Sequence, residues 1–156
     1  MKVLSSLAGG LAGAIAVTLL HEIIKQYDPD APRMDHLAMD ALATGLEKTD
    51  QKVPNKKDLY KYSLVGDLLS NAMFFSMAGG KGGVKKALSK GLILGITGGF
   101  GSVIAPKQLG LKSEPTNKTQ KTQIMTVGYY LVGGLIAAAV AKLIDKKSEP
   151  ERIQLH

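Results

Sequence analysis

The chain contains no cysteine and no tryptophan, and aromatic residues make up only 5% of its 156 residues. Without cysteine it can form no disulfide, no thiolate nucleophile and no thiolate metal ligand. A soluble core usually contains several large aromatic side chains, so their scarcity argues against an ordinary water-soluble domain. No serine lies in a recognisable nucleophile motif either. We therefore expect a protein that is not an enzyme and that carries no cofactor.

Glycine is abundant, with 18 residues, and the charged residues are segregated from four long apolar runs. A helix rises about 1.5 Å per residue, so about 20 residues cross the hydrocarbon core of a bilayer, which is about 30 Å thick. The runs cover residues 3–24, 62–80, 87–105 and 124–141. They predict an all-α polytopic membrane protein with a four-helix transmembrane bundle. Residues 1–145 would form this single membrane domain, and residues 146–156 a charged C-terminal tail.

The first apolar run admits two interpretations. It extends from Val3 to Leu20 without a charged residue, which suits a membrane-spanning helix. Lys2 followed by small residues around Gly13 also fits a secretory signal peptide, which would be cleaved. Because the apolar run continues past these small residues, we expect an uncleaved span.

The long polar connection after the first run contains a helical pattern of another kind. Apolar residues recur at helical spacing over residues 31–47, with Asp30 as the predicted N-cap and Pro32 in the first turn. This pattern predicts an amphipathic helix at the membrane interface. The net charge of +7 comes from lysines at the ends of apolar runs. We therefore expect the lipid bilayer, and not nucleic acid, as the partner of these charges.

The lysines also bear on orientation. The short connection between the second and third runs contains several lysines and no acidic residue. Short loops rich in lysine and arginine usually face the cytoplasm. We therefore expect an integral protein of a bacterial inner membrane with both termini in the cytoplasm.

Small residues recur at four-residue spacing in three of the four runs. Such faces let helix backbones approach closely in lipid, where the hydrophobic effect contributes little to helix association. We expect them to pack helices within the chain, with a homo-oligomer or a partner membrane protein as the alternative. The residues concerned are Gly9, Gly13, Gly91, Gly95, Gly99, Gly133 and Ala137.

An ionisable residue, Asp67, lies within the second run. Asn71 follows it at helical spacing, and Ser63 and Ser70 border the same side, so the helix would carry one polar stripe. A carboxyl group inside a membrane usually faces the bundle interior or a water-filled cavity. The stripe indicates either an ion or proton path, or a hydrogen-bonded contact between helices close to the interface.

A second polar group consists of His21, Glu22, His36 and Asp40. If the chain folded back after the first run, these side chains could form a metal site with two histidines and carboxylates. The spacing does not match a zincin motif, because the second histidine of that motif would fall at Lys25. The alternative is that the four residues mark the membrane interface and are solvated there.

These features lead to three functional hypotheses. The first is a small non-enzymatic inner-membrane protein that serves as a structural or accessory subunit. The second is a small oligomeric transporter or channel that uses a polar site at Asp67 and Asn71. The third is a metal-dependent membrane enzyme built on His21, Glu22, His36 and Asp40.

Overall fold

The computed structural model describes residues 2–147 and folds them into six α-helices with no β-strand. In chain order these are α1 (Lys2–Ile24), α2 (Met34–Lys48), α3 (Lys56–Ser76), α4 (Val84–Gln108), α5 (Glu114–Asn117) and α6 (Gln120–Lys147). The prediction of an all-α protein is confirmed. Of the predicted tail, residues 146 and 147 belong to α6, and residues 148–156 lie outside the described residues.

Three of the helices, α1, α4 and α6, are long and apolar enough to cross a membrane. They contain the predicted runs 3–24, 87–105 and 124–141 and make the chain compatible with an integral membrane protein. Helix α3 has 21 residues, but its polar residues lower its mean hydropathy and it is not among the three. It begins earlier than the predicted run 62–80, because Asn55 caps its start by accepting a 3.1 Å hydrogen bond from the amide of Asp58. It also ends earlier than that run, at Ser76.

Helix α6 lies between α1 and α4 and packs against both through small residues. A Cβ atom added to Gly13 of α1 would lie 2.5 Å from the carbonyl oxygen of Gly133. One added to Gly95 of α4 would lie 2.6 Å from the Cα atom of Leu131. Only glycine allows such close backbone contact, so these small-residue faces hold helices of one chain together.

Helix α1 uses a different face to pack against α3. Gly10 lies on this face, and a Cβ atom added there would lie 2.7 Å from the amide nitrogen of Ser76. The helices therefore follow the lateral order α3, α1, α6, α4, and α3 approaches α4 only at a few positions. One such position is the contact of Phe74 with Gly98. A cleft separates α3 from α4 beyond it.

One end of the molecule, which we call the terminal end, contains the start of α1, the loop between α3 and α4, and the end of α6. Ser5 donates a hydrogen bond to Asp145 there. Lys142 donates to the carbonyl oxygen of Gly80 at 2.7 Å, and Lys90 to that of Gly79 at 3.3 Å. Both lysines thus place positive charge at the carbonyl end of α3, where it complements the helix dipole.

The opposite end, which we call the α2 end, contains α2, α5, the end of α4 and the start of α6. The prediction that α2 begins after an Asp30 cap with Pro32 in its first turn is wrong, since the helix starts at Met34. The preceding segment is held by other contacts. The carbonyl oxygen of Asp30 accepts a 2.8 Å bond from the Thr122 hydroxyl, and the amide of Arg33 donates to Pro115 at 2.8 Å.

Proline usually ends a helix, and the predicted run 87–105 stops just before Pro106, but Pro106 lies inside the last turns of α4. Proline lacks the amide that would bond to the carbonyl oxygen of Ser102, four residues earlier. The Thr116 hydroxyl of α5 donates to that oxygen at 2.7 Å instead. Because the carbonyl oxygen finds this partner, α4 continues to Gln108 and α5 is tied to it.

Candidate functional site

Helices α1 and α3, which pack together, each carry a stripe of polar side chains. Each stripe follows helical spacing, so its side chains lie on one face. The α1 stripe consists of Thr18, His21, Glu22 and Lys25, and the α3 stripe of Tyr60, Ser63, Asp67 and Asn71. Together they extend from the α2 end towards the middle of α3.

Asp67 lies near the centre of α3, and its carboxylate accepts a 3.1 Å hydrogen bond from the side-chain amide of Asn71. The two serines predicted to border the same stripe bond to backbone oxygens and not to this carboxylate. Ser63 donates to the Tyr60 carbonyl oxygen and Ser70 to the Asp67 carbonyl oxygen, each at 3.0 Å. Both bonds lie within α3. The structure therefore joins Asp67 and Asn71 into one polar pair, with the serine hydroxyls beside it.

Asp67 and Asn71 line the cleft between α3 and α4, which has a volume of about 480 Å³. Residues of α2 cover the cleft at one end, and Tyr130 of α6 lies at its back. Its walls combine apolar groups with hydroxyls and glycines. Besides Asp67 and Asn71, the lining residues that shape the site are Leu37, Phe74, Thr97, Gly98, Ser102 and Tyr130.

A cleft with this lining can bind a molecule that is partly apolar and carries a hydrogen-bond donor or a positive charge. The carboxylate of Asp67 is the acceptor. Within residues 2–147 its only side-chain hydrogen-bond partner is Asn71, which leaves lone pairs for a ligand. The apolar walls would contact the remainder of the ligand. The lining of the cleft therefore has the chemistry needed to bind such a molecule.

A cluster of charged side chains closes the α2 end of the two stripes. Asp35 of α2 accepts hydrogen bonds from Arg33 at 2.8 and 3.0 Å and from Lys25 at 3.1 Å. Lys25 also bonds to Glu22 at 2.6 Å, and Glu22 accepts a 3.2 Å bond from the Tyr60 hydroxyl. The cluster thus connects α1, α2 and α3.

The pKa of Asp35 reflects two opposed effects. Burial of its carboxylate alone would raise the pKa, but the hydrogen bonds from Arg33 and Lys25 outweigh burial and hold the pKa well below its usual range. For Lys25, burial alone would lower the pKa, but the bonds with Glu22 and Asp35 outweigh burial and raise the pKa above its usual value. Asp35 therefore remains ionised at neutral pH.

The four residues of the metal hypothesis have separate environments. His21 is only 4% exposed and packs edge-on against Tyr129, with ring centroids 5.0 Å apart. His36 lies 2.8 Å from the Arg33 guanidinium, and Asp40 accepts a 2.8 Å bond from the amide of Lys112. No group of three or more histidine and carboxylate side chains within residues 2–147 is placed to hold a metal ion.

Several site residues were not singled out from the sequence. Thr18 and Tyr60 could have been found, because they continue the helical spacing of polar residues that leads to His21 and Asp67. Asp35 had no such signal, since its partners come from two other segments. Tyr130, Thr97 and Ser102 reach the cleft from α4 and α6, and only the arrangement of the helices brings them to Asp67.

Comparison of the chain with protein-family models, with curated proteins and with solved structures returns no match. We therefore infer the function from the geometry of the cleft and the stripes.

Proposed function

We propose that the protein crosses the membrane four times, with α3 as the additional span. The outward face of α3 supports this proposal. It is a stripe of exposed apolar side chains at helical spacing, consisting of Tyr62, Val65, Leu69 and Met73. The polar side chains in the middle of α3, Ser63, Asp67 and Asn71, lie on the opposite side, towards α1 and the cleft. The charged residues Lys56, Lys57, Asp58 and Lys61 are confined to its first two turns, close to the α2 end. Lipid would therefore contact an apolar surface although the helix as a whole is only moderately apolar.

In this arrangement α2 lies at the membrane interface. Met34 and Leu37 on one face of α2 are buried, while Asp35 on another face joins the charged cluster. The terminal end would face the cytoplasm of a bacterial cell, because its short loop and the following turn carry Lys81, Lys85 and Lys86 without an acidic residue.

Single cysteines test this topology cleanly, because the chain has no cysteine of its own. With four spans, Gln51→Cys and Lys81→Cys lie on opposite sides of the membrane. We expect a membrane-impermeant maleimide to label Lys81→Cys from the cytoplasmic side and Gln51→Cys from the other. Lys147→Cys serves as the reference and is labelled from the same side as Lys81→Cys. Labelling of residues 51 and 81 from one side would show that α3 does not cross.

The function that the geometry supports best is that of a small, non-enzymatic transporter or channel. The observation that carries this proposal is the position of the Asp67 carboxylate in the cleft between α3 and α4. An ionisable group in the middle of a membrane helix is costly and is generally retained for a role in binding or conduction. The cleft is formed by one chain, so a second copy is not required for the site itself.

Asp67→Asn is expected to lower transport at least about tenfold, the change that loss of one charge-assisted hydrogen bond produces. Asparagine keeps the size of the side chain but removes its negative charge. Uptake of protons, Na⁺, K⁺ and a small organic amine would be measured in vesicles containing the purified protein. Asp58→Asn is the matched control, because Asp58 lies near the start of α3, outside the cleft. Equal transport by Asp67→Asn and the unchanged protein would remove Asp67 from the mechanism.

A role as an accessory subunit is the second candidate, and the same cleft favours it. Because α3 and α4 are separated along the cleft, a helix of a partner membrane protein could fill the space and bond to Asp67. Extraction in a mild detergent would then recover a defined partner, and Asp67→Asn would weaken its association. Recovery of the chain alone, together with transport that depends on Asp67, would exclude this candidate.

A further inference from the structure

A second, much smaller space also ends at Asp67. It lies between α1, α2 and α3 and has a volume of about 10 Å³. One water molecule needs roughly 10–15 Å³ on the same measure, so the cavity has about the size of a single water. The polar residues that line it are Thr18, His21, Glu22, Asp35, Tyr60, Ser63 and Asp67.

Two of these lining residues have buried polar atoms that bond to nothing within residues 2–147. They are Nε2 of His21 and Oγ1 of Thr18. A buried polar group without a partner is costly, and most such groups in proteins are satisfied by an internal water. The two residues lie one turn apart on α1, where that helix borders the cavity, and the His21 ring also packs against Tyr129 of α6. The cavity therefore has both the size and the polar partners that a bound water requires.

The cavity begins at a surface that water can reach. Glu22 and Tyr60 line its outer part, and the Glu22 side chain is 30% exposed. At the inner end Asp67 lines both this cavity and the cleft between α3 and α4. Beyond Asp67, towards the terminal end, α1 and α3 are in close contact at Gly10 and Ser76. The polar route thus runs from the α2 end to Asp67 and stops there.

The donor set of this route suits a proton better than a metal cation. Na⁺ and Ca²⁺ require several oxygen ligands, whereas the two atoms without a partner in this cavity are one imidazole nitrogen and one hydroxyl oxygen. A proton needs only a water that is held in place and an acceptor at the end of the route. Asp67 is such an acceptor.

The following inference rests on the proposed function. We propose that the species that reaches Asp67 along this route is a proton, and that it is relayed by one water molecule held by Thr18 and His21. A protonated water at Glu22 gives up a proton, and an O–H bond forms on the held water. The held water releases a different proton and becomes neutral again, while the Asp67 carboxylate gains an O–H bond. One proton enters and one negative charge is neutralised, with no change of oxidation state. His21 and Thr18 are positioning residues in this step.

The ionisable groups that face the route come from four helices and their flanks. Together with Asp67, the small cavity is lined by His21, Glu22, Asp35 and Tyr60. The cleft between α3 and α4 is lined by Asp67 and Tyr130. Lys25 pairs with Glu22 and Asp35 at the entrance. The carboxylates of Glu22 and Asp35 place negative charge at the entrance, which attracts protons to it.

The test measures proton uptake into vesicles that contain the full chain and a pH-sensitive dye, driven by a potassium diffusion potential. Thr18→Val keeps the shape of the side chain and removes the hydroxyl that holds the water. We expect it to lower the initial rate of proton uptake about tenfold, as expected for a lost hydrogen bond to the relay. Thr18→Ser retains a hydroxyl and restores the rate. His21→Phe keeps an aromatic ring against Tyr129 and should have the same effect as Thr18→Val.

The outcomes separate this inference from the proposed function. Proton uptake by Thr18→Val at the rate of the unchanged protein would overturn the water relay, even if Asp67→Asn abolishes uptake. Transport of Na⁺ or of the amine that depends on Asp67, without proton uptake, would also overturn the relay and leave the transport function standing. Absence of any transport that depends on Asp67 would refute both. Should His21→Phe fail to fold, the comparison of Thr18→Val with Thr18→Ser decides alone.

Discussion

Gly95→Ala is expected to lower the free energy of unfolding by about 3 kcal/mol relative to Gly101→Ala, at the upper end of the usual cost of overpacking. The added methyl group would lie 2.6 Å from the Cα atom of Leu131 and 2.8 Å from the carbonyl oxygen of Tyr130. Both are backbone atoms of α6, which cannot rotate away as a side chain could. Helices α4 and α6 must therefore separate along their length to admit the methyl group.

Gly101 is a suitable control because it lies on the same helix and a Cβ atom there meets nothing within 4 Å. Both substitutions gain the same helix propensity, about 1 kcal/mol, so their difference isolates the contact with α6. Reversible unfolding in mixed detergent micelles, followed by circular dichroism, gives the two free energies. Equal stability of the two variants would show that α4 and α6 do not approach as closely as the structure indicates.

Asp35→Asn is expected to lower the free energy of unfolding by about 3 kcal/mol, the lower end of the range for a broken buried ion pair. The Asp35 side chain is 7% exposed and bonds to two cations. Arg33 is 42% exposed, so water can solvate its guanidinium group once the bond to Asp35 is lost. Lys25 is 16% exposed and would keep only Glu22 as an acidic partner. The substitution therefore loosens α2 from α1.

Asp58→Asn provides the surface comparison, since Asp58 and Lys61 are both largely exposed and lie 4.0 Å apart. Such a pair contributes about 0–1 kcal/mol. In the same detergent, the melting temperature of Asp35→Asn should therefore be clearly lower than that of Asp58→Asn. A loss no larger for Asp35→Asn than for Asp58→Asn would mean that the cluster does not hold α2 in place.

The contact of Asp35 with Arg33 and Lys25 also predicts how the stability of the protein depends on pH. The pKa of Asp35 is lower in the folded protein than in the unfolded chain, where it is about 3.9. The folded state therefore binds fewer protons, and the stability that Asp35 contributes is complete above that value. It is lost as the pH falls below about 4. Melting temperatures measured from pH 7 to pH 3 should fall less for Asp35→Asn than for the unchanged protein.

The helices could be predicted from the sequence because long apolar runs with few charges leave little alternative to helix. Their ends were less accurate, since they depend on single contacts between distant segments. Pro106 would end an isolated helix, but the Thr116 hydroxyl bonds to the Ser102 carbonyl oxygen that proline leaves without an amide. The residues before α2 bond to Thr122 of α6 and to Pro115 of α5, and these bonds set the start of α2. No local sequence pattern reveals such contacts.

The polar stripe of α3 was visible in the sequence because helical spacing alone relates Asp67 to Asn71. The cleft that the stripe faces was not, because three other helices form it. His21 shows the same limit. Its place in a polar segment suggested a metal ligand, whereas the structure buries it between helices, against Tyr129. Which neighbours surround a polar side chain depends on tertiary packing, and spacing along one helix carries no information about it.

The central position of α6 has a consequence for biosynthesis. Helices α1 and α4 contact little of each other and meet α6 through glycine, yet α6 is the last of the six helices to leave the ribosome. If α1 and α4 cross the membrane as proposed, their glycine faces are covered until then by lipid or by other membrane proteins. In the proposed four-span arrangement, the packing of α1 and α4 is therefore completed only when α6 inserts between them.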